Sequence, residues 1–192
     1  MNRTPAYSPE QRQTLLKIAA ASIAHGLKHA EALPVQAAKY PPELQVLRAT
    51  FVTLYLKDEF QGCIGTLRAV RPLVVDVAKN AYAAAFDDPR GGALRESDLK
   101  HLKSDISVLS EPQAMQFKSE ADVIAQLRPG VDGVIFEDLG RVGTLLPSVW
   151  ESLSDPRAFF EHTKLKAGLP TTHWSPTVVV KRYTTEIFSS AE

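Results

Sequence analysis

The chain has 192 residues, of which 44% are hydrophobic and 23% charged, with 22 Lys+Arg balanced by 22 Asp+Glu. That length and apolar content suffice for a buried core in one good-sized domain, and a formal net charge of zero argues against broad electrostatic capture of nucleic acid. A single cysteine excludes an internal disulfide, and no apolar run is long enough to span a bilayer.

In chain order, the stretch Met1–Gln13 lacks the apolar core of a signal peptide, so the expectation is a cytoplasmic protein that enters no membrane. Ser8, Pro9 and Gln11 read as an N-cap, an N1 proline and a capping box. Leu15, Leu16, Ala19, Ile23 and Leu27 then recur at helical spacing, which predicts a helix from Pro9 to His29. Residues 32–44 read as a loop. "RATFVTLYLK" (48–57) is rich in β-branched and aromatic residues and predicts a strand; Asp58 and Glu59 turn it, and Phe60–Leu67 returns. Arg71-Pro72 opens a second helix with Leu73, Val74, Val77, Ala78, Ala81 and Ala85 on its apolar stripe, ended by "DDPRGG" (87–92).

"KSDISVLSEP" (103–112) alternates as a half-buried strand, and Ser119 with Asp122 caps a short helix to Leu127. "VIFEDLGRVGTLLP" (134–147) reads as a hairpin turning at Leu139-Gly140. Ser154-Asp155-Pro156 starts a third long helix that Gly168 and Pro170 stop, and "TVVVKRYTTEIF" (177–188) is a closing strand. Hairpins outnumber strand–helix alternations. The expected fold is therefore α+β, a largely antiparallel sheet flanked by helices, in one domain over residues 1–192 with room for a minor lobe.

The blocks "FVTLYLKDEFQGCIGTL", "RPLVVDVAKNAYAAAFDDPR", "SDISVLSEP", "RPGVDGVIFE", "GTLLPSVWESLSDP" and "LKAGLPTTHWSP" resemble, in matching order, those of the AMMECR domain family. The resemblance runs from Phe51 to Phe188 and is closest to the bacterial branch, the AmmeMemoRadiSam system protein A. It implies a compact α+β protein with a larger and a smaller lobe, whose signature is the Gly-Cys-Ile-Gly segment. It implies partners as well, a Memo-like protein and a radical-SAM protein. It attaches no firm reaction and names no cofactor. Three departures stand out: Gln61 replaces the arginine usual before Gly-Cys, Gly91-Gly92 replaces an aromatic-proline segment, and an acidic residue common in the block before Ile106 becomes Ser104-Asp105.

"FQGCIGTL" (60–67) holds the lone cysteine, Cys63. A thiol nucleophile needs a nearby base, a cation or a helix N-terminus, and Gly62 and Ile64 supply none. Burial as a small apolar residue between crowded backbones is the more common state of a free cysteine. His162 is the candidate base, with Arg90 and Arg141 as candidate cations. Gly62, Gly65 and Thr66 form a second candidate, presenting N–H groups and a hydroxyl to a small anionic ligand; the spacing is not that of a P-loop. Asp87, Asp88 and Arg90 read either as a mobile binding loop or as a helix stop in which Arg90 pairs with a carboxylate. His25, His29, His101 and His173 lack metal-site spacing, so no metal is expected. Trp150 and Trp174 read as core anchors. Two classes of function follow: a small-molecule enzyme or enzyme component at the Gly-Cys-Ile-Gly segment, and a non-catalytic module that recognises a small anion or a partner protein. Nothing in the chain assigns an oligomeric state.

Overall fold

The structure, a computed structural model, describes residues 7–190. Residues 1–6, which carry part of the stretch read for a leader, and residues 191–192 lie outside the described residues. In chain order the elements are α1 (Pro9–His29), α2 (Pro42–Gln45), β1 (Thr50–Leu56), β2 (Glu59–Gly65), α3 (Leu73–Phe86), β3 (Leu102–Leu109), β4 (Gln113–Ala114), α4 (Glu120–Gln126), β5 (Gly133–Asp138), β6 (Arg141–Leu145), α5 (Pro156–Lys166), β7 (Val179–Tyr183) and β8 (Thr185–Ser189), with short 3₁₀ turns between them. Helices and two antiparallel four-stranded sheets make this an α+β fold. No helix among the described residues is long and apolar enough to cross a membrane.

The chain divides into two compact units. The first runs to Leu109 and resumes at Glu186; the second is Ser110–Thr185. In the first, the strand order is β2-β1-β3-β8, and β1 pairs antiparallel with both β2 and β3. Period-two alternation sends Val52 and Leu54 of β1 into the core with Ile106 and Val108 of β3, against Leu15, Ile18 and Ile23 of α1 and Leu73, Val77 and Ala81 of α3. Each such valine, leucine or isoleucine side chain, taken from water, contributes about 1.5–3 kcal/mol. The same alternation turns Phe51, Thr53 and Tyr55 to the opposite face. That face carries the site.

Helix starts follow the local chemistry. At α1, Ser8 Oγ accepts from the Gln11 N–H while Gln11 Oε1 accepts from the Ser8 N–H, the predicted capping box. Asp155 caps α5 by accepting from the Ala158 N–H at 2.8 Å. The second unit orders its strands β4-β7-β5-β6. Its core joins Val134, Phe136 and Val180 with Phe159 and Phe160 of α5 and with Trp150, which stacks on Phe159 at 3.8 Å. Leu139 and Gly140 both have positive φ, 50° and 72°, as the tight β5–β6 hairpin turn requires.

Two expectations need correction. Residues 177–188 are not one strand: β7 belongs to the second sheet and β8 to the first, with the break at Thr184. Val180 packs in the second core and Phe188 in the first, so one continuous apolar pattern served two burials. Residues 32–44, read as loop, contain a 3₁₀ turn at Ala37–Lys39 and the start of α2, where Pro41-Pro42 supplies the preset φ of a helix start.

Candidate functional site

β2 is the edge strand of its sheet, and in the β1–β2 register Cys63 lies opposite Thr53. Antiparallel alternation points the Cys63 N–H and C=O away from β1, toward the open edge. Both groups are taken. The N–H donates to Asp88 Oδ2 at 2.8 Å, and Arg90 Nη2 donates to the Cys63 carbonyl at 3.1 Å. Arg90 in turn grips Asp88, from Nε to Oδ1 at 2.9 Å and from Nη2 to Oδ2 at 2.7 Å. A carboxylate and a guanidinium thus stand in for the missing neighbour strand, one of the ways an exposed edge is closed. Arg90 lies both on the edge and over the Phe60 ring, its Cζ 5.0 Å from the centroid.

The Asp88 side chain is 1% exposed and that of Arg90 62%, so the anion is enclosed while the cation faces out. The Arg90 guanidinium, then the Cys63 N–H, hold the Asp88 carboxyl well below the usual carboxylate range.

The glycines answer to crowding. A Cβ at Gly62 would overlap the Ala84 carbonyl oxygen of α3, one at Gly91 the Gln61 carbonyl, and one at Gly65 the Phe51 ring and the Thr50 carbonyl. Gln61, where the family resemblance leads one to expect arginine, is buried, and its amide donates to the Gly92 carbonyl at 2.5 Å. The Thr66 N–H donates to the Thr50 carbonyl at 3.0 Å, and its hydroxyl lies 3.4 Å from both oxygens of Asp76. Asp76 is fully buried and also accepts from Thr50, Arg71 and Asn80, a network that fixes the loop after β2 to the start of α3.

On the face opposite the helices, register aligns Cys63, Thr53 and Asp105 across three strands. The half-buried Cys63 Sγ accepts from Thr53 Oγ1 at 3.2 Å, and Asp105 Oδ1 accepts from Ser189 Oγ of β8 at 2.6 Å. Tyr55 and Phe60 share this face, being opposite one another in the register. Burial raises the Tyr55 phenol above its ordinary pKa, and electrostatic interaction with Asp105 and then Cys63 adds to the shift. Sequence reading missed Thr53, Tyr55 and Asp105. The alternation of "FVTLYL" put Thr53 and Tyr55 on one face, but only the register brings Asp105 beside them.

Of the residues singled out in the sequence, Gly62, Cys63, Gly65, Thr66 and Arg90 belong to the first unit. Arg141 and His162 belong to the second. Arg141 Nη1 donates to the Gly168 carbonyl, tying the hairpin to the end of α5. His162 Nδ1 meets the Ala158 carbonyl one helical turn back, at 2.9 Å. A cluster not expected from sequence centres on the buried Asp138, which accepts from His173 Nε2 at 2.6 Å and from Ser175 Oγ and Thr177 Oγ1, each at 2.7 Å. Those donors, Thr177 first, hold its carboxyl well below the usual range. The cluster pins the loop of residues 173–177 to the end of β5. Among the described residues, no group of three His, Cys, Asp or Glu side chains is disposed to hold a metal ion.

The AMMECR1 family model matches residues 16–188. The chain belongs to the AMMECR1 family. Its relatives include a protein of Methanothermobacter thermautotrophicus, 34% identical over 183 residues, covering 94% of this chain and 95% of that one. Protein MK0488 of Methanopyrus kandleri is 31% identical over 194 residues, covering 95% and 90%. The crystal structure of uncharacterized protein PH0010 from Pyrococcus horikoshii aligns with a TM-score of 0.77 at 32% identity, covering 92% of this chain and 89% of that one. The AMMECR1 match takes in β1 to β7 and all of β8 but its last residue, and with them every residue of the sheet face described above except Ser189.

Proposed function

We propose that this AMMECR1-family protein is a small-molecule enzyme, or a component of one, with its site at the Gly-Cys-Ile-Gly segment. Cys63 is the nucleophile and Arg90 the group that receives an anionic ligand. One observation carries the reading: a half-buried thiol, hydrogen-bonded to Thr53, sits in the same residue whose carbonyl steadies an exposed guanidinium. A cation already fixed by Asp88 loses little freedom when it binds an anion, which favours recognition. Phe60, 44% exposed beneath that cation, offers an apolar wall. Gly65 and Thr66 border the same edge. The hydroxyl of Thr53 assists the sulfur in place of the His162 expected from sequence, and Arg141 is left to the second unit.

The resemblance to the AmmeMemoRadiSam protein A branch supports a cytoplasmic setting beside Memo-like and radical-SAM proteins, with this chain as one member of that association. Reaction of the native protein with iodoacetamide, followed by mass, tests the thiol. We expect complete labelling at Cys63 within minutes at pH 8; labelling only after denaturation would end the nucleophile role.

A second reading, a non-catalytic anion-recognition module, is favoured by the fully occupied carboxylate of Asp88, which leaves Arg90 organised for binding alone. The two part at Cys63→Ser. The module retains its ligand-induced thermal shift and its function with serine there, whereas the enzyme retains the shift but loses turnover.

A further inference from the structure

Among the described residues, the carboxylate of Asp105 has no cation to meet it in any salt bridge. It lies in register with Thr53, two strands from the edge where Arg90 is held, on the face that also carries Cys63. Ser189 occupies one of its oxygens, at 2.6 Å. The cation nearest in register, Lys103 opposite Tyr55, is taken by Asp58 at 2.6 Å. A half-buried carboxylate with a free oxygen and no counter-charge favours a ligand that brings one.

We infer that the substrate of this site is a small zwitterion, its anionic end on Arg90 and its ammonium end on Asp105, laid across Thr53 and past the Cys63 sulfur. The inference rests on the site proposed above and extends it from an anion to a two-charge ligand. Adjacent strands lie about 4.8 Å apart, so Cys63 and Asp105, separated by β1, stand roughly 10 Å apart. Arg90 is joined to the Cys63 carbonyl on the outer side of β2 and lies over Phe60, which faces the same way as Tyr55 and Thr53. Arg90 therefore stands about one further strand spacing out, roughly 14 Å from Asp105, and a salt bridge of about 3 Å at each end leaves the ligand's own charges about 8 Å apart. Between them the face is apolar and hydroxylic, with Phe60, Tyr55 and Thr53, which suits a short carbon chain. The raised Tyr55 phenol stays protonated and can donate to the ligand.

The test uses ω-amino acids from glycine to 8-aminooctanoate as a ruler, with n-alkanoates and n-alkylamines of matching length. Two readouts are taken on the full chain: protection of Cys63 from iodoacetamide, and the thermal shift. We expect a maximum at 6-aminohexanoate to 8-aminooctanoate, with at least tenfold tighter half-protection than hexanoate or hexylamine. Asp105→Asn should abolish the advantage of the amino acid over the alkanoate, and Arg90→Gln its advantage over the alkylamine. Asp105→Glu, which keeps the charge, should retain a preference and guards against loss of fold. Equal response to amino acid and alkanoate in the wild type, or an unchanged preference in Asp105→Asn, overturns the inference. Cys63 inert in the native protein, with the length-dependent thermal shift intact, would sink the nucleophile alone and leave the zwitterion site standing.

Discussion

Asp88 and Cys63 are joined across the open edge of β2, the Asp88 carboxylate accepting the Cys63 N–H at 2.8 Å while Arg90 bridges back to the Cys63 carbonyl. The residues that follow α3 therefore serve the edge strand β2. Because Asp88 titrates below its unfolded value, its contribution is present above about pH 4 and is lost as the pH falls through the folded value. Asp88→Asn should unfold at a lower urea concentration than wild type at pH 7, and the gap should narrow steadily below about pH 4. Urea titrations at pH 7, 4 and 2.5 check this; a gap that stays constant assigns the effect to something other than the carboxylate charge.

Gly62 lies so close to α3 that a methyl group would overlap the Ala84 carbonyl, whereas a methyl group at Gly92 would meet nothing within 4 Å. Gly62→Ala should therefore cost about 2–4 kcal/mol, since backbone rather than a flexible side chain must move. Gly92→Ala should change stability by no more than about 0.5 kcal/mol. Chemical denaturation of the pair is sufficient, and comparable losses in both would contradict the packing account.

Lys164 is fully buried in the second unit, its ammonium donating to Glu120 Oε1 at 2.7 Å and to the Thr171 carbonyl at 2.8 Å, beside the Phe160 and Trp174 rings. Removing one partner strands a buried charge, so Glu120→Ala should destabilise by about 2 kcal/mol, discounted because Glu120 is itself 26% exposed. Lys164→Met, which leaves that carboxylate and the Thr171 carbonyl without their donor, should cost about 1–2 kcal/mol, whereas replacing both partners, Lys164→Met with Glu120→Leu, should be closer to neutral. A double-mutant cycle measures both.

The Tyr183 phenol is pushed up to about 12 by burial, from an ordinary 10.0. A folded value above the unfolded one means stability is intact below pH 10 and falls as the pH rises toward 12, by about 2–3 kcal/mol over that interval. Tyr183→Phe should flatten this alkaline limb. It should also lose about 1 kcal/mol at neutral pH, because its hydroxyl donates to the Leu145 carbonyl at 3.2 Å. Thermal melts between pH 8 and 11 would show whether the limb depends on this phenol.

Features set by neighbours in the chain were legible in advance. The capping box of Ser8 and Gln11, the Asp155 cap and the Leu139-Gly140 turn follow from spacing within four residues. Cys63 and Arg90 were legible as candidates because their types are chemically distinctive. Asp105 was not, since its alignment with Thr53 requires a strand register spanning 52 positions. The Asp138 cluster was hidden for the same reason: its donors lie 35 to 39 residues away. The division of residues 177–188 between two sheets was equally invisible, because alternation repeats identically whichever core receives it.

By itself, the chain determined its longer helices, its hairpin turn and its family, because caps, left-handed turns and ordered blocks are written in short-range chemistry. Tertiary structure alone decided what surrounds the thiol. The glycine at 62 answers to a carbonyl on α3, the edge of β2 is closed by a loop 25 residues on, and the polar face is assembled by register. Contacts between distant segments depend on how strands pair, and pairing is settled by the burial of the whole sheet rather than by any one stretch.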